Sequence, residues 1–165
     1  MPQVLILMGS DSDAPVMQAA VDTLNEFGIS SEMTVASAHR SPARVMRLVD
    51  EAPGRGVKIF IVGAGAAAHL GGVVAAHTTL PVIGVPIDSS ALKGLDALLA
   101  TVQMPPGVPV ATMAIGKAGA TNAAILAAQI LGVADKAMAQ KLEDYKKKLA
   151  DKVEAAAAKL NAPTG

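Results

Sequence analysis

The sequence predicts a doubly wound α/β domain, with a parallel sheet covered by helices on both faces. Three observations lead there. Short β-branched runs alternate with segments of helical spacing between residues 4 and 131, the order that builds parallel sheets with crossover helices. The first run, Val4–Met8, is apolar throughout instead of alternating, as expected of a strand buried on both faces. Finally, 52% of the 165 residues are hydrophobic but only 2% are aromatic. The core is therefore built from Ala, Val, Ile and Leu, which can pack densely in a chain of this length.

The elements follow in order. After the strand Val4–Met8, a helix is expected over Ala14–Phe27, with Val16, Met17, Ala20, Val21 and Leu24 at helical spacing and Gly28 as its stop. Glu32–Ser37 reads as a second strand. Ser41 is placed to cap the next helix and Pro42 to open it, with an end near Ala52. Val57–Val62 is the third strand and Ala67–Ala76 a short helix. Pro81–Pro86 is a fourth strand, Leu95–Val102 a helical piece, Met104–Pro109 a stiff turn, Val110–Ile115 a fifth strand and Ala118–Leu131 a helix. The tail reads as one long helix, Asp135–Leu160, with Met138, Leu142, Tyr145, Leu149, Val153, Ala156 and Leu160 on one face. Such a helix can lie on its own domain or reach a neighbouring subunit. No repeat or linker interrupts the chain. A single domain, 1–165, is expected, with a core over 1–132 and a helical arm over 133–165.

Composition removes several classes of function. Fourteen basic residues balance fourteen acidic ones and no basic stripe is present, so no nucleic-acid partner is expected. With 17% charged residues the chain is not disordered, and some apolar surface is left for subunit contacts. The lack of cysteine excludes disulfides, thiolate catalysis and Cys-ligated metals, and it fits a cytoplasmic protein. With only three histidines, no metal centre is expected. Val4–Met8 is too short, and lacks the basic residues, for a signal peptide. Ile59–Ala76 is long enough for a membrane span, but glycines and His69 divide it into strand, loop and helix, so no membrane partner is expected.

In open α/β sheets, ligands bind beyond the carboxyl ends of the strands, where strand order reverses. Three strand-end loops stand out. Gly9-Ser10-Asp11-Ser12-Asp13 offers hydroxyls and backbone N–H groups to a phosphate, and Asp13 offers an acceptor to ribose hydroxyls. The same residues also fit a plain helix cap. The loop lacks the lysine of a nucleoside triphosphate site. Ser37-Ala38-His39-Arg40 sets an acid/base beside a permanent cation; a solvated surface loop is its other reading. Gly63-Ala64-Gly65-Ala66-Ala67-Ala68-His69-Leu70 matches G-x-G-x-x-A between strand and helix, with Asp88 ending the next strand. This supports a small NAD- or flavin-binding protein, or a set of backbone N–H groups for a carboxylate or phosphate. In a flavodoxin-like strand order, 2-1-3-4-5, the three loops converge.

Together with Val102-Gln103-Met104-Pro105 and Asn122-Ala123-Ala124, these loops closely resemble the N5-carboxyaminoimidazole ribonucleotide mutase family, the PurE family, over Val4 to Leu131. The resemblance implies a flavodoxin-like three-layer α/β/α sandwich with a parallel sheet of five or slightly more strands and a long C-terminal helix. It also implies a purine-biosynthesis isomerase acting on a small ribonucleotide, with no biotin, metal or ATP. His39 would be the general acid/base. Arg40, Ser10 and Ser12 would hold the phosphate, Asp13 the ribose, and Ser37 with Ala38 would orient the site. The stretch Gly65, Ala67, Ala68, His69 and Leu70 would hold the carboxylate and retain carbon dioxide. A sister branch, which carboxylates the aminoimidazole directly, more often has lysine at the place of Arg40 and lacks the glycine loop, so the chain resembles the mutase branch. The family forms homo-octamers. Two positions depart from its pattern: Ala66 stands for a second glycine, adding a methyl beside the carboxylate, and Gly71 for a proline, loosening the helix start.

Overall fold

The computed structural model describes residues 1–161; the end of the expected arm, 162–165, lies outside the described residues. The elements are β1 (Val4–Met8), α1 (Ala14–Phe27), β2 (Ser31–Val35), α2 (Pro42–Glu51), β3 (Ile59–Gly65), α3 (Leu70–His77), β4 (Val82–Ile87), α4 (Leu95–Val102), β5 (Ala111–Thr112), α5 (Lys117–Gly132) and α6 (Lys136–Asn161). They form two compact units, Met1–Ala127 and a second that starts at Ala128.

In the first unit the five strands are parallel, in the order β2-β1-β3-β4-β5. All five residues of β1 are buried, as their unbroken apolarity requires. Strand residues alternate between two faces. Leu5, Leu7, Phe60, Val62 and Ala64 share a core cluster with Val45, Leu48 and Val49 of α2, Val74 of α3 and Ala97 of α4. The opposite face carries Ile59, Ile61 and Gly63, against which α1 packs. At about 25 cal/mol per Å² of buried apolar surface, small aliphatic side chains in such numbers provide most of the driving force.

Two glycines of the central strands are set by space rather than by φ. A Cβ on Gly63 would come within 2.5 Å of Met17 Sδ, and one on Gly84 within 2.5 Å of Thr101 Cγ2. Each helix thus inserts one side chain into a notch in the sheet. These notches explain a difference from the expected boundaries. Read from sequence, Gly63 and Gly65 look like loop, yet β3 runs from Ile59 through Gly65 and pairs Gly63, Ala64 and Gly65 with Val85, Pro86 and Ile87. The segment considered as a membrane span is therefore β3 and α3. The fifth strand is also shorter than expected. Gly84 and Pro86 face β5 with their carbonyls, which accept from Met113 N (2.8 Å) and Gly116 N (2.9 Å). Proline has no N–H to return, so the ladder stops at Thr112.

Most helix ends follow the sequence signals, although α3 begins at Leu70 instead of Ala67. Gly28 takes φ 74° and closes α1 through its N–H. Ser41, by contrast, does not cap α2 with its side chain. Its Oγ accepts from Ser37 N (3.1 Å) and donates to Ser37 O (3.2 Å), so it holds the preceding loop instead. At the edge strand, Arg44 of α2 donates to Val35 O (2.8 Å) and Thr34 Oγ1 (3.0 Å), fixing the end of β2 where that loop departs.

In the second unit Asp135 caps α6 by accepting from Ala137 N (2.9 Å) and Met138 N (3.2 Å). Met138 is buried, whereas Leu149, Val153 and Leu160 are 45%, 67% and 88% exposed.

Candidate active site

Strand order reverses between β1 and β3, so the loops after β1, β2 and β3 leave the same edge of the sheet side by side. They enclose a cleft of about 290 Å³. Ser10, Ser12, Asp13, Ser37, Ala38, His39, Arg40, Gly65, Ala67, His69 and Leu70 all line it, together with Gly9, Ala64 and Ser89. Of the residues to which the resemblance gave a role toward the substrate, Ala68 alone is elsewhere. Its side chain is 2% exposed in the core cluster and its N–H donates to Ala66 O, because the turn into α3 directs it inward.

The first loop forms a 3-10 turn, Asp11–Asp13, closed by a capping box. Ser10 Oγ accepts from Ser12 N (3.3 Å) and Ser12 Oγ (2.9 Å), and Ser10 N donates to Asp13 Oδ2 (3.2 Å). Both readings of this loop hold at once: it caps, and its hydroxyls face the cleft. Asp13 is buried, and burial raises its carboxyl above the ordinary 3.8, with the Ser10 N–H and then Arg40 opposing. A carboxyl raised by folding binds its proton more tightly in the folded chain, so its contribution to stability is greatest at low pH and is lost as pH rises from 3.8 through the folded value. Asp13→Asn is therefore expected to gain stability relative to the parent as pH increases across that interval. Unfolding midpoints measured at a series of pH values check this; a difference that does not vary with pH would contradict it.

In the second loop Arg40 N donates to Ser37 Oγ (3.1 Å), and the Arg40 guanidinium donates to Gly9 O (3.1 Å), linking the loops after β1 and β2. His39 reaches the third loop: its Nε2 lies 2.7 Å from His69 Nδ1, the two rings meeting edge to face. In that bond one ring nitrogen donates and the other accepts, so each imidazole fixes the tautomer and orientation of the other. The family resemblance placed His69 beside a carboxylate and did not reveal this pairing, which joins side chains thirty residues apart.

The third loop turns between β3 and α3. His69 N donates to Ala67 O (2.8 Å), and α3 begins at Leu70, which lines the cleft. Because Gly63 and Gly65 are strand residues, they do not make the tight turn of a dinucleotide fingerprint, and Asp88 is not among the lining residues. Ala66 is exposed, outside the cleft lining, with φ 50°. The expected crowding by its methyl is thus absent, and its effect is on the backbone: the left-handed region costs a non-glycine residue about 1 kcal/mol. Ala66→Gly is expected to raise stability by up to about 1 kcal/mol, or roughly 2–4 °C in Tm. Thermal unfolding at fixed protein concentration tests it, and a lowered Tm would mean that the methyl contributes more than the strain costs. At Gly71 a Cβ would meet only Val110 Cγ1, at 3.6 Å, so the buried helix start has room for a side chain. His77, the third histidine, bonds through Nδ1 to Val73 O (2.8 Å) at the end of α3, away from the cleft.

These features define a flavodoxin-like α/β protein whose ligand cleft, at the switch point of its sheet, sets an imidazole pair beside an arginine and a hydroxyl-rich turn. The AIR carboxylase family model matches residues 3–152. The N5-carboxyaminoimidazole ribonucleotide mutase of Thermotoga maritima is 54% identical over 149 residues, which are 90% of this chain and 86% of the relative. That of Bacillus subtilis is 55% identical over 143 residues, 87% and 88% of the two chains. The crystal structure of Treponema denticola PurE superposes with a TM-score of 0.88 at 30% identity, covering 98% of this chain and 99% of that one. This chain belongs to the N5-carboxyaminoimidazole ribonucleotide mutase family.

Proposed function

We propose that the protein interconverts N5-carboxyaminoimidazole ribonucleotide and 4-carboxy-5-aminoimidazole ribonucleotide by moving a carboxylate between two atoms of one substrate, a step of purine biosynthesis. The observation that carries this reading is the His39–His69 pair in one cleft with Arg40 and the Ser10/Ser12 turn. Arg40, Ser10 and Ser12 hold the phosphate by charge-assisted and hydroxyl hydrogen bonds, and Asp13 accepts from the ribose. Ser37 and Ala38 orient the ring, with Gly65, Ala67, His69 and Leu70 around the carboxylate.

The chemistry needs one proton carrier. The bond from the exocyclic nitrogen to the carboxylate carbon breaks, leaving its electron pair on nitrogen, which takes a proton from His39. Carbon dioxide remains in the cleft. The ring carbon then donates an electron pair to it, forming the new carbon–carbon bond, and neutral His39 removes the proton from that carbon. The ring regains aromaticity and His39 regains its proton, so the cycle closes without a co-reactant. Confinement matters because the two fragments recombine within one cleft instead of by encounter in solution.

The experiment is an assay of the purified protein with the carbamate substrate, without ATP or added bicarbonate. Formation of the carbon-carboxylated product is expected. Turnover of the uncarboxylated aminoimidazole that requires added bicarbonate would instead identify a direct carboxylase, and stabilisation by a dinucleotide alone would identify neither.

The protein is further proposed to work in the cytoplasm as a homo-octamer. The octamer number follows the family resemblance. The exposed Leu149, Val153 and Leu160 on α6 support contacts with other copies. Light scattering coupled to size exclusion reads the assembly directly, and a monomer would overturn it.

A further inference from the structure

Ser89 was not singled out from sequence, although it stands just beyond the end of β4, where strand-end chemistry is expected. It lines the cleft. Its hydroxyl differs from those of the other lining serines. Ser10, Ser12 and Ser37 all engage their hydroxyls in hydrogen bonds within the protein, and the adjacent Ser90 donates to Asp96 Oδ2 (2.6 Å). Among the described residues Ser89 Oγ has no such partner. It also lies directly against Gly65: a Cβ on that residue would fall inside contact distance of Ser89 Oγ and 3.0 Å from its Cβ. Gly65 is therefore kept bare by the serine above it, and the hydroxyl stays at the surface of the cleft.

We propose that Ser89 is a binding residue of the reaction described above, donating a hydrogen bond to the carboxylate that the substrate carries. The inference rests on the mutase reading. Sheet order supplies the direction: Arg40 follows β2, Ser10 and Ser12 follow β1, and Ser89 follows β4, two strand spacings, or roughly 10 Å, beyond β1. With the phosphate held at the β1–β2 end, ribose and ring extend toward β3 and β4, so the ring's carboxylate is the group that reaches Ser89. A free hydroxyl is suited to it, because it donates to an anion without adding charge.

The test compares Ser89→Ala with the parent chain by calorimetric titration with two ribonucleotides that differ in one group: aminoimidazole ribonucleotide and its 4-carboxy derivative. Loss of a hydrogen bond to a charged group is expected to weaken binding of the carboxylated ligand by about tenfold or more. Binding of the uncarboxylated ligand should change less than twofold, with Tm unaltered. Equal affinities of the Ser89→Ala variant and the parent for the carboxylated ligand would overturn the assignment while leaving the mutase reading in place. Equal weakening of both ligands would also overturn it, by making Ser89 a support of the cleft as a whole. A parent chain that binds neither ribonucleotide would overturn the mutase reading itself, and the assignment with it.

Discussion

His39→Asn is expected to lower turnover by about a hundred- to ten-thousand-fold while leaving the fold and ribonucleotide affinity nearly intact. Asparagine keeps a polar group on the His69 side of the loop but has no group that titrates in the useful pH range, and loss of general acid/base chemistry has an effect of this size. The backbone needs no change to accept it, because the loop is held by Ser37, Ser41 and Arg40 rather than by the imidazole. Turnover measured alongside calorimetric affinity separates the two effects. If the variant kept more than a tenth of the parent rate, the proton would have to travel through His69, the nearest other imidazole, instead.

Arg40→Ala should act mainly on binding. It removes a charge-assisted contact to the phosphate, generally about 1.5–3 kcal/mol, so KM should rise roughly ten- to a hundredfold with a smaller change in kcat. Two structural consequences accompany it. The link to Gly9 O between the first two loops is lost, and so is the positive charge that lowers the Asp13 carboxyl, which should then titrate still higher. An unchanged KM with reduced kcat would assign Arg40 to the reaction step rather than to the phosphate.

Much of this architecture is legible in the sequence because it depends on local chemistry. The unbroken apolarity of Val4–Met8, the stop at Gly28 and the proline at the head of α2 each act within a few residues, and the structure has them where they were expected. The convergence of three loops follows from strand order alone. What escaped depends on contacts between segments far apart in the chain. Gly63 and Gly65 look like a phosphate loop until Met17 and Ser89 are seen occupying their missing side chains. Ser41 looks like a cap until Ser37 competes for its hydroxyl. Ala68 falls within the motif but turns into the core, and Ser89 lies outside every motif yet lines the cleft. The methyl at Ala66 shows its effect only in a dihedral angle.

The notches at Gly63 and Gly84 also act as an index between layers. With Met17 seated in one and Thr101 in the other, α1 and α4 cannot slide along the sheet without emptying a notch and driving a bulky side chain against a strand residue that has its own Cβ. The height of each helix above the strand ends is thereby fixed, and with it the position of the loop that leads into that helix. For α1 that loop is Ser10 to Asp13. The precision of the cleft is thus set one layer away from it, by methionine and threonine side chains that do not line it. Enlarging Gly63 would be expected to shift the hydroxyl-rich turn before it unfolded anything, and a matched reduction of Met17 is the substitution that should restore the alignment.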